Sequence, residues 1–201
     1  MMGGRALRRL FALIPMILFL ASCGTTTREG EKLALDVRAR ALEATACQME
    51  AEVLSDYGDR VYTYTLSFQW NEAGESRITV QAPETIRGVT AVIAEGETKL
   101  LYEGAELETG PLSSDGLSPL DAVPALLTAC REGYISQVDM ERWGDVPAVR
   151  VTYGEGDGSV VDAVQHRIWY AVETGQPLYG EILSGGKSVI QCTFQSVAWV
   201  P

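Results

Sequence analysis

Between Val61 and Trp70 the chain alternates strictly, with Tyr62, Tyr64, Leu66, Phe68 and Trp70 on one parity and Thr63, Thr65, Ser67 and Gln69 on the other. A period of two puts successive side chains on opposite faces of an extended chain, so this stretch predicts a strand with one buried face. The preceding segment repeats the pattern, Cys47, Met49, Ala51 and Val53 against Gln48, Glu50 and Glu52, and the Gly58-Asp59 turn joins the two as a hairpin. A second hairpin turns through Asn71-Glu72-Ala73-Gly74 into Ile78, Val80 and Ala82, and Pro83, which has no N–H for a ladder, ends it. Strands follow at 86–94, 98–102 and, briefly, 105–108. After a turn-rich break at 110–116 and an apolar helical segment, strands resume at 134–143, 149–153, 163–172, 178–183 and 189–199.

Two segments switch to helical spacing. From Glu31 to Ala46 the residues Leu35, Ala39, Leu42 and Ala46 recur every three or four positions with Arg38, Arg40 and Glu43 between them, predicting an amphipathic N-terminal helix. In mid-chain, Ser118 reads as an N-cap and Pro119 as the first helical residue, with Leu120, Val123, Leu126, Leu127 and Cys130 forming one apolar stripe up to Gly133. Pro124 inside that stripe lacks an N–H, which predicts a kink or a split. The fold class is therefore mainly β with two helices. Tight hairpins are antiparallel, and strands with one apolar face must curl around something, so the expected architecture is a curled antiparallel sheet, an incomplete β-barrel, with an N-terminal helix and a helical lid. No repeat of fixed period is present, which disfavours propellers and solenoids.

The N-terminus changes the picture most. Arg5, Arg8 and Arg9 precede an apolar run from Leu10 to Ala21, which is shorter than the roughly 20 residues a spanning helix needs. Residues 1–22 thus read as a signal peptide. The Leu20-Ala21-Ser22-Cys23-Gly24 sequence resembles the lipobox of bacterial lipoproteins, in which the cysteine receives a diacylglyceryl group, adds acyl chains such as palmitate and becomes the new N-terminus. Each buried acyl methylene contributes about 0.8 kcal/mol, so two or three chains anchor the protein stably to a membrane through Cys23. Residues 23–32, polar and rich in threonine, read as the lipidated N-terminus and a flexible tether reaching about 17 Å. Residues 33–201 then form a single extracytoplasmic domain. Losing the leader reduces 16 basic residues to 13 against 27 acidic ones, an excess that excludes nucleic acid as a partner. Of the remaining cysteines, Cys47, Cys130 and Cys192, an odd number cannot all pair, the spacings match no metal site, and buried free thiols are the favoured reading over a disulfide.

The stretch Arg167-Ile168-Trp169-Tyr170-Ala171-Val172-Glu173-Thr174-Gly175-Gln176-Pro177-Leu178-Tyr179-Gly180-Glu181, followed by Gly185-Gly186-Lys187 and Cys192-Thr193-Phe194, resembles the strand, Thr-Gly-x-Pro turn, strand, Gly turn and terminal strand with a Thr-Phe pair of the LolA/LolB/RseB superfamily. The order of elements along the chain is similar too. The resemblance implies a half-barrel that cups an apolar cavity beneath a helical lid. Lipidation separates this chain from the soluble carrier of that superfamily. Lipidated relatives include an outer-membrane receptor for lipoproteins and a germination lipoprotein of spore-forming clostridia that helps a cortex-modifying amidase.

A nucleophilic hydrolase needs a base beside its nucleophile. The only histidine, His166, lies mid-strand on the parity of Ile168 and Tyr170, where a packed histidine is the favoured reading, and it cannot supply a multi-histidine zinc site. Glu50 and Glu52, like Glu95 and Glu97, lie on or beside hairpins as solvated charge, and the Gly154-Glu155-Gly156-Asp157-Gly158 loop, with Asp162, lacks the register of a calcium loop. No catalytic residue, metal or cofactor is assigned. Three function classes stay open: a carrier or receptor holding an acyl chain or lipoprotein in the curled sheet, lined by Leu66, Phe68, Trp70, Ile78 and Val80 under a lid carrying Leu120, Val123, Leu126 and Leu127; an accessory factor whose filled core binds nothing small and whose surface engages an envelope protein in envelope or spore-cortex assembly; and an envelope hydrolase. An open apolar void discriminates for the first, and side chains packed under the lid for the second. The lipobox reading predicts that wild type partitions into the detergent phase on phase separation, whereas Cys23→Ala is released or left unprocessed. Equal partitioning of the two contradicts the anchor.

Overall fold

A computed structural model describes residues 23–94, 97–110, 112, 116–154 and 164–201, with side chains from residue 28 onward. Residues 1–22, read in the sequence as a signal peptide, and most of the 154–158 loop lie outside the described residues. The elements are α1 (Cys23–Glu43), β1 (Ala46–Asp56), β2 (Val61–Asn71), β3 (Glu75–Ala82), β4 (Thr90–Ala94), β5 (Glu97–Tyr102), β6 (Ala105–Glu108), α2 (Ala122–Glu132), β7 (Ile135–Trp143), β8 (Val146–Tyr153), β9 (Val164–Ala171), β10 (Pro177–Ser184) and β11 (Lys187–Val200). All eleven strands join one antiparallel sheet in the order β6-β5-β4-β3-β2-β1-β11-β10-β9-β8-β7, which does not close into a barrel.

Two meanders, β1 to β6 and β7 to β11, are thus fused where the first strand pairs with the last. Apolar side chains stay in register across the seam. Leu100, Ala91, Ile78, Phe68, Met49 and Val197 follow one another across six strands on the concave face. On the other half, Ile182, His166, Tyr153 and Ile135 do the same. A one-residue slip in any pair would turn its apolar set to solvent, so the shared core fixes the register.

The segment joining β6 to β7 contains α2, which lies on the concave face with Val123, Leu126 and Leu127 buried beside Leu66, Phe68, Ile78 and Val80. Leu120 is half-buried in the turn that precedes it. The helix opens at Ala122 rather than after Ser118, and Asp121 rather than Ser118 is its N-cap residue. Pro124 does not break it. As the third helical residue it occupies one of the first-turn positions whose N–H has no intrahelical partner, so its missing donor costs no bond.

The N-terminal helix departs more from expectation. It runs without interruption from Cys23, so the polar segment expected as a flexible tether forms its first turns. Its buried face is Gly30, Ala34, Val37 and Ala41, continued by Ala44 just past its end, whereas Leu35 and Leu42 of the expected stripe face outward. The small residues allow a close approach: a Cβ at Gly30 would stand 3.2 Å from Val138 and 3.3 Å from the Met140 sulfur. Leucine at 35 and 42 drew the sequence reading to the larger apolar residues, while close packing selected the smaller ones. The strand expected from 86 is confined to β4, because Glu84–Ile86 form one turn of 3-10 helix. Among the described residues no helix is long and apolar enough to cross a membrane.

Leu126 is 1% exposed. Leu126→Asp is expected to destabilise the fold by at least about 3 kcal/mol, because the carboxylate loses its hydration with no partner to replace it. Leu42→Asp, at a position 52% exposed, is expected to change stability by less than about 0.5 kcal/mol. Chemical denaturation of both variants checks the contrast, and equal losses would contradict the orientation of the two helices.

Candidate functional site

The concave face and the helix across it are the candidate site. Two glycines seat α2. Gly180 has no Cβ where one would stand 2.7 Å from a Leu126 methyl, and Gly116, at φ +74°, passes where a Cβ would stand 2.4 Å from the Cβ of Ala125 and 2.8 Å from Ile182. Backbone approaches this close are available only to glycine. A space of about 190 Å³ lies between α2 and strands β2 and β3, against Phe68, Trp70, Leu127 and Arg131. Between α2 and the middle of the sheet a void of about 20 Å³ is bounded by Met49, Val123, Leu126, Ile168, Phe194 and Trp199. That void has room for about one water molecule and is far below the volume of a small-molecule pocket.

Two arginines fasten α2 at its C-terminal end. Arg38 of α1 donates from Nε to the Cys130 carbonyl at 2.9 Å and from a terminal nitrogen to the Gly133 carbonyl, and its guanidinium lies 5.7 Å from the Tyr153 ring. Arg131 reaches in the other direction, donating to the Ala41 carbonyl and stacking 4.5 Å from the Trp70 ring centroid. Carbonyls in the last turn lack intrahelical donors and carry the negative end of the helix dipole, so cations bonded there are favourable in both hydrogen-bonding and charge. Gly133 makes the close turn that follows, since a Cβ there would stand 2.5 Å from the Ala129 carbonyl oxygen.

Beneath the helix two buried phenols pair with each other. The Tyr153 and Tyr170 hydroxyls lie 3.1 Å apart. Burial, the largest cause, pushes both phenols above their ordinary range, and the neighbouring Cys130 thiol adds to it. Burial raises Cys130 as well, and lifts Cys47 and Cys192 to about 12. All three thiols are free and buried. A thiol in that range holds almost no thiolate near neutral pH and is a poor nucleophile.

A larger space, about 500 Å³, opens at the rim beside α2, between the helix and the ends of β4, β8 and β9. Ile93, Asp121, Thr128, Glu132, Tyr134 and His166 are among its lining. His166 is half-buried here, in register with Ile182 and Tyr153. Among the described residues no group of three or more histidine, cysteine, aspartate or glutamate side chains is arranged to hold a metal. The residues Glu155, Asp157 and Asp162, weighed as a calcium loop, lie outside the described residues, as does the side chain of Cys23. Glu50 and Glu52 are exposed on the outer face of β1.

Of the residues singled out in the sequence, Leu66, Phe68, Ile78 and Val80 are fully buried, Trp70 is half-buried beneath Arg131, and all converge on the core that α2 completes. The clamping arginines were not legible: Arg38 and Arg131 sit 93 positions apart in a chain whose arginines elsewhere are mostly solvated. Neither was a cluster on the opposite face of the sheet. There Trp143 stacks on Tyr179 at 4.0 Å, Trp169 meets Tyr179 edge-on at 5.2 Å, and the Trp169 indole donates to Glu141 at 2.9 Å. Arg150 bridges Asp139 at 2.5 Å and Glu141 at 3.2 Å beside it. This second small core pins β7 to β10 together from the outside.

No family model matches the chain, and no curated protein is similar to it in sequence. Solved structures are similar in fold. An uncharacterized conserved protein from Thermus thermophilus is 13% identical over 85% of this chain and 87% of its own, with a TM-score of 0.50. A LolA superfamily protein from Nitrosomonas europaea is 9% identical over 86% of this chain and 93% of its own, with a TM-score of 0.45. A chain in the complex of the CwlD amidase with the GerS lipoprotein from Clostridioides difficile is 12% identical over 83% of this chain and 93% of its own, with a TM-score of 0.42. At these identities the likeness is one of fold alone.

With every described thiol buried and its pKa raised, Cys47, Cys130 and Cys192 are expected to resist an aromatic disulfide reagent at pH 8 in the folded protein. All three should react once denaturant unfolds the domain. Labelling of any of them at the rate of a free peptide thiol would contradict the packing around α2.

Proposed function

We propose that this protein is a membrane-anchored extracytoplasmic lipoprotein that acts by binding, as an accessory factor for a protein partner in envelope or spore-cortex assembly. The observation that carries this reading is the occupied cup. Under the middle of α2 the void is about 20 Å³, and the space of about 190 Å³ towards β2 and β3 is partly walled by the charged Arg131 and Glu132. The helix that would have to move to enlarge either is tied to α1 through Arg38 and Arg131. A carrier needs a vacant apolar volume for an acyl chain, and here the protein's own Val123, Leu126 and Leu127 fill it. The fold then serves as a rigid scaffold whose loops, edges and outer face meet the partner. The sequence resemblance to a superfamily whose members hold lipoproteins or bind other proteins supports the same broad class.

One observation favours a second reading, a carrier or receptor for acylated ligands. The 500 Å³ space beside α2 is large enough for a ligand, and Ile93 and Val164 make part of its wall apolar. Its lining also includes Asp121, Glu132 and His166, which an acyl chain would desolvate without return. That mixture fits a polar or peptide segment better.

A binding role survives loss of the sole histidine. Cross-linking in native membranes followed by pull-down and mass spectrometry is expected to recover the same protein partner from wild type and from His166→Ala, and His166→Ala is expected to complement a deletion strain. Hydrolysis of an envelope substrate by the purified domain, lost in His166→Ala at unchanged stability, would replace this reading with an enzymatic one.

A further inference from the structure

The N-terminal helix packs one face against the domain and leaves its opposite face bare. Gly30, Ala34, Val37, Ala41 and Ala44 are buried, while Leu35 and Leu42 are 59% and 52% exposed. At about 100° per residue, Arg28, Lys32, Leu35, Ala39 and Leu42 fall within an arc of about 80°, with Glu31 just beyond one border. Asp36 and Glu43 stand on the shoulder beyond the other. Large apolar side chains in the interior of a helix, at helical spacing and away from the core, mark a surface that meets something other than water.

We propose that this arc of α1 lies on the surface of the membrane that holds the protein, with Leu35 and Leu42 among the lipid headgroups and Arg28 and Lys32 against lipid phosphates. The inference rests on the reading of Cys23 as the lipid anchor. Cys23 is the first residue of α1, the apolar run from Leu10 to Ala21 ends just before it, and the helix continues unbroken into the domain. No flexible linker therefore separates anchor from domain, and the direction of α1 sets the pose of the whole sheet. At 1.5 Å per residue, Leu35 lies about 18 Å and Leu42 about 28 Å along the axis from the anchor. A helix standing upright would hold both leucines in water, whereas a helix lying flat places both at the interface.

Charge points to the same face. The chain carries a net charge of −11, which keeps most of its surface away from an anionic leaflet. The arc itself departs from that excess, with two cations inside it and its nearest acids, Glu31 and Glu43, each about 20° outside its borders. Arginine and lysine beside an apolar stripe can keep their heads at phosphate level while their methylenes lie against the acyl boundary. The pose also leaves the sheet and α2 on the side of α1 away from the bilayer, free to meet a partner.

The test uses the lipidated full-length mature protein reconstituted into vesicles of phosphatidylethanolamine and phosphatidylglycerol. Nitroxide labels are placed at Leu35→Cys, Leu42→Cys and, as a control, Asp36→Cys. All three positions are exposed, while the native thiols at 47, 130 and 192 are buried. The expected result is loss of access to an aqueous nickel chelate and gain of access to oxygen at 35 and 42, with position 36 still open to nickel. Equal nickel access at all three positions in protein that sediments with the vesicles would overturn the proposal while leaving the anchor intact. Shielding of 35 and 42 from both reagents would overturn it in favour of a second protein on the stripe. Failure to sediment at all would overturn the anchor reading, and this inference with it.

Discussion

An open antiparallel sheet with one apolar face must cover that face, and everything distinctive in this protein follows from how it does so. The two meanders join β1 to β11 and curve into a cup whose inner side chains run in register across the seam. Burial of such side chains contributes roughly 1.5–3 kcal/mol each, so an empty cup would forfeit much of the stability of a domain this size. The chain between β6 and β7 solves the problem with α2, and α1 completes the cover over β7 and β8. Gly116 and Gly180 bring helix and sheet within contact, and Arg38 satisfies a carbonyl at the end of α2 as Arg131 does one at the end of α1.

The strands were legible because period-two alternation is a local property. Tyr64 to Trp70 and Cys47 to Val53 announce their buried face without reference to any other part of the chain, and Asn71 to Gly74 announces the hairpin. The second helix was legible as a stripe, although its start shifted to Ala122 once Pro119 and Leu120 entered a turn. Pro124 was misjudged because its effect depends on where the helix begins: in an interior it removes a bond, in the first turn it removes nothing. The face of α1 was misread for a different reason. Hydrophobicity ranks Leu35 and Leu42 above Gly30, Ala34 and Ala41, but the close approach of α1 to β7 at Gly30 leaves no room there for a larger side chain. The clamp made by Arg38 and Arg131, the Tyr153, Tyr170 and Cys130 contact and the outer cluster around Trp169 all join residues distant in sequence, and no local pattern encodes them.

The exposed sheet edges fit a scaffold. The edge strand β6 is four residues long and fully exposed, with Glu106 and Glu108 held by Lys99 at 2.7 and 3.6 Å. Short, charged edges resist pairing with stray strands. At the other edge, β7 carries Asp139 and Glu141, both engaged by Arg150 and backed by Trp169 on the outer face. A sheet stiffened on both faces presents its loops in a fixed arrangement, which suits recognition of another protein more than the opening of a lid.

Val123, Leu126 and Leu127 of α2 occupy the concave face, where any acyl chain held by this sheet would have to lie. The most direct measurement is denaturing extraction and lipid mass spectrometry of the domain from residue 24 onward, exported and purified without its own anchor. No acyl ligand is expected at stoichiometric amount. Recovery of about one acylated molecule per domain, lost when the residues under α2 are made bulkier, would show that the cup opens and would contradict this occupancy of the concave face by α2.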